Sequence, residues 1–511
     1  MKRSSLLPVL LVVALLLVAV PALARPASLD PLALQEQIVL GAPDWNFGPD
    51  VTPTTATYDH RRMVVSDGCD VNGDGYDDIL VGRRDFNHSS TEHAGRAWLF
   101  LGSPGGLSPT VSLTINPPVN NANGFFGTVV ACAGDVNGDG YQDLMIGMDN
   151  YDSTYTDEGA VFVYYGSATG PSTAYSWMAR GDSTYAHFGE SIDGARDVNG
   201  DGYDDIIVGA KNLYSYSGRD AYVWLGGSGG LGANGTPANA DWYASSPYAS
   251  EGTAAVVRGI GDVNGDGSDD VMVGATRYDG ALTDQGAVYV WLGSNSGLGD
   301  PGTSANADWT ALGGQAAAYL GVGADGMGDL NGDGYDDLAV GAYSYDNPDN
   351  AEGKVFVWLG SASGLGESGT PANADWSAES DVAGAQLGFV VRSAGDVNRD
   401  GYADLLATAY NFPVPDNGGT LAGAGAWFVW FGAPTGLGEN GTPANADIAQ
   451  YCNQESAYSG RDDAGAGDVN GDGMSDTFVV AYRYDDPETD EGVASGWYSF
   501  YKAIYMPVIF R

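Results

Sequence analysis

One nine-residue segment, Asp70-Val71-Asn72-Gly73-Asp74-Gly75-Tyr76-Asp77-Asp78, recurs with small changes seven times along this 511-residue chain. Later copies begin at Asp135, Asp197, Asp262, Asp329, Asp396 and Asp468, spaced 65, 62, 65, 67, 67 and 72 residues apart. Such a period marks an array of equivalent units rather than a conventional mixed fold. Seven units consume nearly all of the chain and leave no room for a separate catalytic domain.

Each unit reads alike. A small-residue and β-branched stretch precedes the motif, as in Gly127-Thr128-Val129-Val130-Ala131. An apolar run ending in Gly follows it, as in Asp205-Ile206-Ile207-Val208-Gly209. After a loop of about ten residues comes an alternating aromatic strand, such as Ala287-Val288-Tyr289-Val290-Trp291. A Gly/Ser turn leads to a last short strand around an Asp-Trp pair, as in Asp308-Trp309 and Asp375-Trp376. Four short strands bounded by turn residues are expected per unit, and no sustained 3.6-residue periodicity appears beyond the N-terminal segment. A lone four-stranded sheet exposes both faces, and packing seven around an axis buries them. The expected fold is all-β, a seven-bladed β-propeller.

Ring closure is also legible. Trp177, Trp242, Trp309 and Trp376 each stand 20 residues before the next motif Asp. Asp44-Trp45 lies 25 residues before Asp70, and the last unit stops after its third strand, Val493 to Tyr501. The N-terminal strand near Trp45 is therefore expected to complete the last blade.

The motif Asp-x-Asn-x-Asp-Gly-x-x-Asp places side-chain oxygens at positions 1, 3, 5 and 9 and a backbone carbonyl at 7. All-oxygen, multi-carboxylate loops suit a hard cation, and their flexibility favours Ca²⁺ over Mg²⁺. The first loop offers Asp70, Asn72, Asp74, the carbonyl of Tyr76, and Asp78. The second offers Asp135, Asn137, Asp139, Tyr141 and Asp143; the third Asp197, Asn199, Asp201, Tyr203 and Asp205. The fourth has Asp262, Asn264, Asp266, Ser268 and Asp270; the fifth Asp329, Asn331, Asp333, Tyr335 and Asp337. The sixth has Asp396, Asn398, Asp400, Tyr402 and Asp404; the seventh Asp468, Asn470, Asp472, Met474 and Asp476. Up to seven structural Ca²⁺ ions are expected. An EF-hand is excluded because its twelfth position needs an acid, where Val81, Ile146 and Val208 stand here. In the sixth loop Arg399 replaces the Gly of position 4, so strain or repulsion of the metal is expected there.

Charge narrows the partners. With 66 acidic and 21 basic residues, the net charge is −45. That argues against nucleic acid, which needs a basic stripe, and against an anionic membrane surface. The 43% apolar content supplies a core, so the charge does not signal disorder. Lys2 and Arg3, the apolar run Leu6 to Val20 and Ala22-Leu23-Ala24 form a secretory signal pattern. The expected division is a signal peptide over 1–24, a propeller over 25–501 and a short apolar tail over 502–511, with no membrane span. Cys69 and Cys132 precede equivalent motifs, and either a bridge or two buried thiols is compatible with that spacing.

The units resemble the FG-GAP repeat of the integrin α-subunit propeller. Phe126-Gly127 and Phe188-Gly189 match the first half of that name, and Gly209-Ala210, Gly274-Ala275 and Gly341-Ala342 the second. The pattern departs at Leu320-Gly321, Leu387-Gly388 and Ser459-Gly460. The resemblance implies a free-standing adhesion or binding module, with its ligand on the face opposite the Ca²⁺ loops.

Other features carry less. Aromatics recur 16 residues after six of the seven motif Asp residues, at Phe86, Tyr151, Tyr278, Tyr345, Phe412 and Tyr484, and Asp follows four of them (Asp152, Asp279, Asp346, Asp485). They serve either loop packing or sugar and peptide binding. The loop from Asn411 to Ala424 is the longest of its kind and a candidate for specific contact. Arg180-Gly181-Asp182 and the G-x-S-x-G of residues 226–230 read as accidents of composition, the latter as a turn. His60, His88, His93 and His187 form no metal-spaced set. The sequence thus points to a secreted, monomeric, non-enzymatic binding protein with a protein or glycan ligand. A carbohydrate-binding, lectin-like propeller is the alternative, and a polysaccharide lyase or hydrolase a more distant one.

Overall fold

The structure is a computed structural model that describes residues 43–48, 63–88, 91–210, 221–245, 255–416, 419–485 and 492–498. The chain divides into two units, Met1–Gln37 and Ile38–Arg511, and the first lies wholly outside the described residues. The expected signal peptide, the tail and His60 also fall outside them.

Among the described residues there is no helix, and the second unit forms seven blades of four antiparallel strands, the third extended by Gly302–Thr303, which pairs in parallel with Trp242–Ser245. Blade 1 runs through Met63–Val65, Ile79–Arg83, Arg96–Phe100 and Leu113–Ile115. Blade 2 follows with Phe126–Gly134, Asp143–Met148, Ala160–Tyr164 and Trp177–Arg180. Blades 3 to 6 repeat the order, their second strands being Asp205–Ala210, Asp270–Ala275, Asp337–Ala342 and Asp404–Ala409. Blade 7 takes Ser459–Gly467, Asp476–Ala481 and Val493–Trp497 from the C-terminal end and Trp45–Phe47 from the N-terminal end. Trp45, Asn46 and Phe47 pair with Gly496, Ser495 and Ala494. The expected closure is observed.

Second strands are buried on both faces, which is why their apolar runs are continuous rather than alternating. The paired glycines of the repeat have a packing reason. A Cβ at Gly82 would lie 2.6 Å from the carbonyl oxygen of Gly127 in the next blade, and one at Gly274 equally close to that of Gly321. Blade 6 carries Thr408 at this place, and its hydroxyl donates to the Gly460 carbonyl at 2.7 Å.

The fourth-strand tryptophans hold successive blades. Trp177, Trp242, Trp309 and Trp376 pack edge-on against Trp224, Trp291, Trp358 and Trp430 of the next blade, with centroids 5.2–5.6 Å apart. Trp45 repeats this across the closure, 4.9 Å from Phe100, and its indole N–H donates to the Ser108 carbonyl. A Cys69–Cys132 disulfide joins the first two blades across 63 residues, which decides between the two states the spacing allowed.

Candidate metal centres and ligand face

Each acidic loop connects the first and second strands of its blade. In the first loop the Asp70 carboxylate accepts the backbone N–H groups of Gly73, Asp74 and Gly75 at 2.7, 3.1 and 2.9 Å. Asn72 Oδ1 accepts from Asp74 N, and Asp74 Oδ1 from Tyr76 N. These bonds coil the loop into consecutive Asx turns, the local preference of Asp and Asn. In all six later loops the position 5 and position 6 N–H groups donate to the position 1 carboxylate in the same way.

The position 9 aspartates are buried anchors. Asp78, Asp143, Asp205, Asp270, Asp337, Asp404 and Asp476 are all 0% exposed. In each of the first six, one oxygen accepts the N–H at motif position 2 and the other accepts a glycine N–H beyond the third strand. For Asp78 these donors are Val71, at 3.1 Å, and Gly102, at 2.8 Å; for Asp404 they are Val397 and Gly432. Burial pushes Asp78, Asp143, Asp205 and Asp337 up to about 7 and Asp270 and Asp404 up to about 8. The two backbone N–H groups oppose that rise, while the carboxylates at positions 1 and 5 add to it.

The loops also bind one another, through position 8, which is not among the expected metal-ligand positions. The position 8 backbone N–H donates to the carbonyl of the preceding blade's first motif Asp in all seven cases, at 2.9–3.3 Å. The series closes through Asp77 N and the Asp468 carbonyl. Position 8 side chains return the bond: Gln142, Asp204, Asp269, Asp336 and Asp77 accept the N–H of Asp70, Asp135, Asp197, Asp262 and Asp468. The recurrence of Asp or Gln at this place was the available signal.

Position 7 and position 4 are complementary between blades. The Gly73 φ is +70°, and a Cβ there would lie 2.8 Å from the Tyr141 ring of the next loop; at Gly265 the Tyr335 ring is 2.5 Å away. Arg399 stands where the next loop carries Met474 instead of Tyr. It adopts φ +59°, and its guanidinium donates to the Asp472 carbonyl at 2.7 Å. The backbone thus keeps the left-handed conformation that the other loops give to Gly, as the expected strain requires, and the side chain crosses to the neighbouring loop.

Among the described residues, no three His, Cys, Asp or Glu side chains are arranged to hold a metal ion. The carboxylate oxygens turn instead onto backbone N–H groups. By chemistry and charge the residues nonetheless fit a hard dication. Each loop concentrates three carboxylates and an Asn amide, and the buried position 9 acid is pushed up partly by its own loop partners. A carboxylate oxygen that accepts one N–H keeps a second lone pair.

At the other ends of the strands, the recurrent aromatics pack onto third strands of their own blades. Phe86, Tyr151, Tyr278, Tyr345 and Phe412 meet Trp98, Phe162, Tyr289, Phe356 and Phe428, with centroids 5.4–6.3 Å apart. Asp152, Asp279 and Asp346 accept backbone N–H groups within their own loops. These contacts give the rings and acids a packing role within their own blades. The Asn411–Ala424 loop contains a small hairpin, Val414–Asp416 with Gly419–Leu421. Arg180 is tied to Ser153, Thr154 and Glu158, and residues 227–230 form a turn.

The innermost strands line the axis. Four residues before the motif Asp, blades 3 to 6 carry Asp193, Arg258, Asp325 and Arg392, an alternation absent from the other three blades. Asp193 Oδ2 accepts Gly259 N, and Asp325 Oδ2 accepts Ser393 N. Burial raises Asp193 to about 6 against the pull of Arg258, with Asp325 adding to the rise. Asp193 and Asp325 border an axial cavity of ≈ 520 Å³ that also touches position 8 side chains such as Asp77 and Asp204.

Residues 70–146 match the model of the FG-GAP-like repeat, and residues 188–225, 259–291 and 323–358 match that of the FG-GAP repeat. Human integrin alpha-6 is 33% identical over 158 residues, 30% of this chain and 13% of that protein. Mouse integrin alpha-IIb is 34% identical over 156 residues, 30% of this chain and 14% of that protein. Bovine phosphatidylinositol-glycan-specific phospholipase D is 36% identical over 151 residues, 28% and 17% of the respective chains. The matches thus span less than a fifth of each of these relatives. The repeat matches and the seven strand-closed blades together identify the chain as a seven-bladed β-propeller that carries FG-GAP repeats.

Proposed function

We propose that this propeller is an exported, calcium-loaded binding module for adhesion or surface recognition, non-enzymatic, with its ligand on the face opposite the acidic loops. The observation that carries the reading is the closed ring of seven equivalent acidic loops at one end of the blades. Repetition of one loop seven times serves the scaffold, and the opposite face, where the blades diverge in sequence, is left for recognition. Similarity to integrin alpha chains supports the binding role.

In each loop the residues at positions 1, 3, 5 and 9 and the position 7 carbonyl would hold the ion, as with Asp70, Asn72, Asp74, Asp78 and Tyr76. A bound Ca²⁺ supplies charge neutralisation. Seven would take the net charge from −45 towards −31. The chain's own residues do the rest: position 9 fixes the loop to the third strand, and position 8 fixes it to its neighbour. Residues 1–24 would direct export.

Calorimetric melting in Ca²⁺ and in EDTA tests the metal. An ion that binds only the folded state adds about 2.7 kcal/mol per site at a hundredfold excess over its Kd, so chelation should lower the melting temperature sharply. An unchanged melt sinks the structural-metal reading. Binding of the protein to intact cell surfaces, with and without Ca²⁺, tests the recognition role.

A further inference from the structure

We infer that the axial rim of blades 5 to 7, on the face opposite the acidic loops, takes a saccharide stacked on an arc of aromatic rings. The inference rests on the proposed ligand face and assigns it a chemical class.

Six aromatics form the arc. Tyr319 stacks on Tyr343 at 5.3 Å, Tyr343 meets Phe389 at 5.2 Å, and Phe389 meets Tyr410 at 4.8 Å. Tyr410 meets Tyr458 at 6.3 Å, and Tyr458 stacks on Tyr482 at 5.7 Å. The chain of contacts crosses three blades without a break. Tyr482 is buried, and the other five keep part of their surface exposed.

The fold does not demand four of these rings. Tyr343, Tyr410 and Tyr482 stand fourteen residues after their motif Asp, where blades 1, 2 and 4 carry Arg84, Asp149 and Thr276. Phe389 stands seven residues before its motif Asp, where blades 2 and 3 carry Thr128 and Glu190. The loop-packing aromatics behave in the opposite way, since the repeat keeps them in nearly every blade. Residues that break the repeat on one sector of the rim are where a ring-shaped scaffold acquires a directional site.

The arc's polar partners select the ligand class. The Arg461 guanidinium lies 5.6 Å from the Tyr410 centroid and 5.1 Å from that of Tyr482, and its Nη1 donates to the Tyr482 hydroxyl at 2.8 Å. Arg483 lies 5.5 Å from the Tyr458 centroid and 5.1 Å from that of Tyr482. The cation-seeking faces of these rings already have their cations, which disfavours a lysine or arginine side chain as the guest. A sugar ring offers apolar faces to the aromatics and hydroxyl or carboxylate oxygens to the guanidinium forks, which carry five donors each. Aromatic walls with a few placed polar groups are the usual lining of such sites.

The test uses the full chain in Ca²⁺, titrated with maltohexaose as a neutral probe and an alginate hexasaccharide as a uronate probe, alongside a glycan array. Tyr410→Ala and the milder Arg461→Gln should each weaken binding at least tenfold, while Tyr151→Ala leaves it unchanged. Loss of binding with Arg461→Gln at an unchanged melting temperature supports the site even where Tyr410→Ala perturbs folding. Saccharide binding retained in both variants overturns the site. An array without binders overturns the ligand class; capture of a cell-surface protein that the same variants abolish then leaves the ligand face standing, and no binding of either kind removes both readings.

Discussion

Replacing Trp45 by Ala tests whether a segment more than four hundred residues away in sequence closes the ring. Trp45 is 5% exposed and sits between Phe100 of blade 1 and Phe478 of blade 7, at 4.9 and 6.3 Å. A buried Trp covers about 150–250 Å², which at about 25 cal/mol per Å² corresponds to roughly 4–6 kcal/mol. Ala retains a fraction of that area, while the lost indole bond to the Ser108 carbonyl acts in the other direction. A cost of about 3–5 kcal/mol is expected, the range seen for large aromatic truncations. Trp242→Ala, which removes the equivalent contact with Trp291, is the internal reference. Guanidinium unfolding in saturating Ca²⁺ should give comparable losses for the two variants. Hydrogen exchange should also accelerate at Ala494 to Gly496, the partners of the closing strand. A loss below about 1 kcal/mol for Trp45→Ala beside a full loss for Trp242→Ala would refute closure by this strand.

Three further outcomes are expected. Met474→Tyr places a ring where Arg399 lies, so it should destabilise by about 1–3 kcal/mol and be relieved by Arg399→Gly; additive effects within about 0.5 kcal/mol argue against the pairing of positions 4 and 7. Cys132→Ser opens a 63-residue cross-link and should cost about 4 kcal/mol on the chain-entropy relation, with the difference from the parent vanishing in reductant. Glu352 is 0% exposed, and burial pushes it from 4.5 to about 7, opposed by the Asn347 backbone and reinforced by Glu379, Asp349 and Asp381. A folded-state value above the unfolded one means stability that is present at low pH and lost as pH rises from 4.5 towards 7. Glu352→Gln, which copies Gln285 of blade 4, should therefore gain little at pH 4.5 and roughly 3 kcal/mol at pH 8; a gain independent of pH in calorimetric melts counts against this.

How much the sequence discloses depends on whether a feature is local to one repeat. Strand number, blade count and the closing Trp45 follow from the 62–72-residue period and the alternation of apolar residues, because each blade is assembled from neighbouring residues. The acidic loops are legible for the same reason: the Asp70 carboxylate accepts backbone N–H groups within five residues of itself. What joins one blade to the next is different. The Gln142 bond to Asp70 spans 72 residues, and the Tyr141 ring over Gly73 spans nearly as many. These contacts exist only after blades are set side by side, so position 8 reads in sequence as one more acid. The aromatic tally misdirects in the same way: Tyr151, Tyr278 and Tyr345 recur because their own blades need them. Tyr319, Tyr343, Phe389, Tyr410, Tyr458 and Tyr482 occupy three different places in the repeat, so no single offset along the chain collects them. Only winding the seven copies about one axis brings those places onto a single rim, since radial packing converts positions separated by a blade into neighbours.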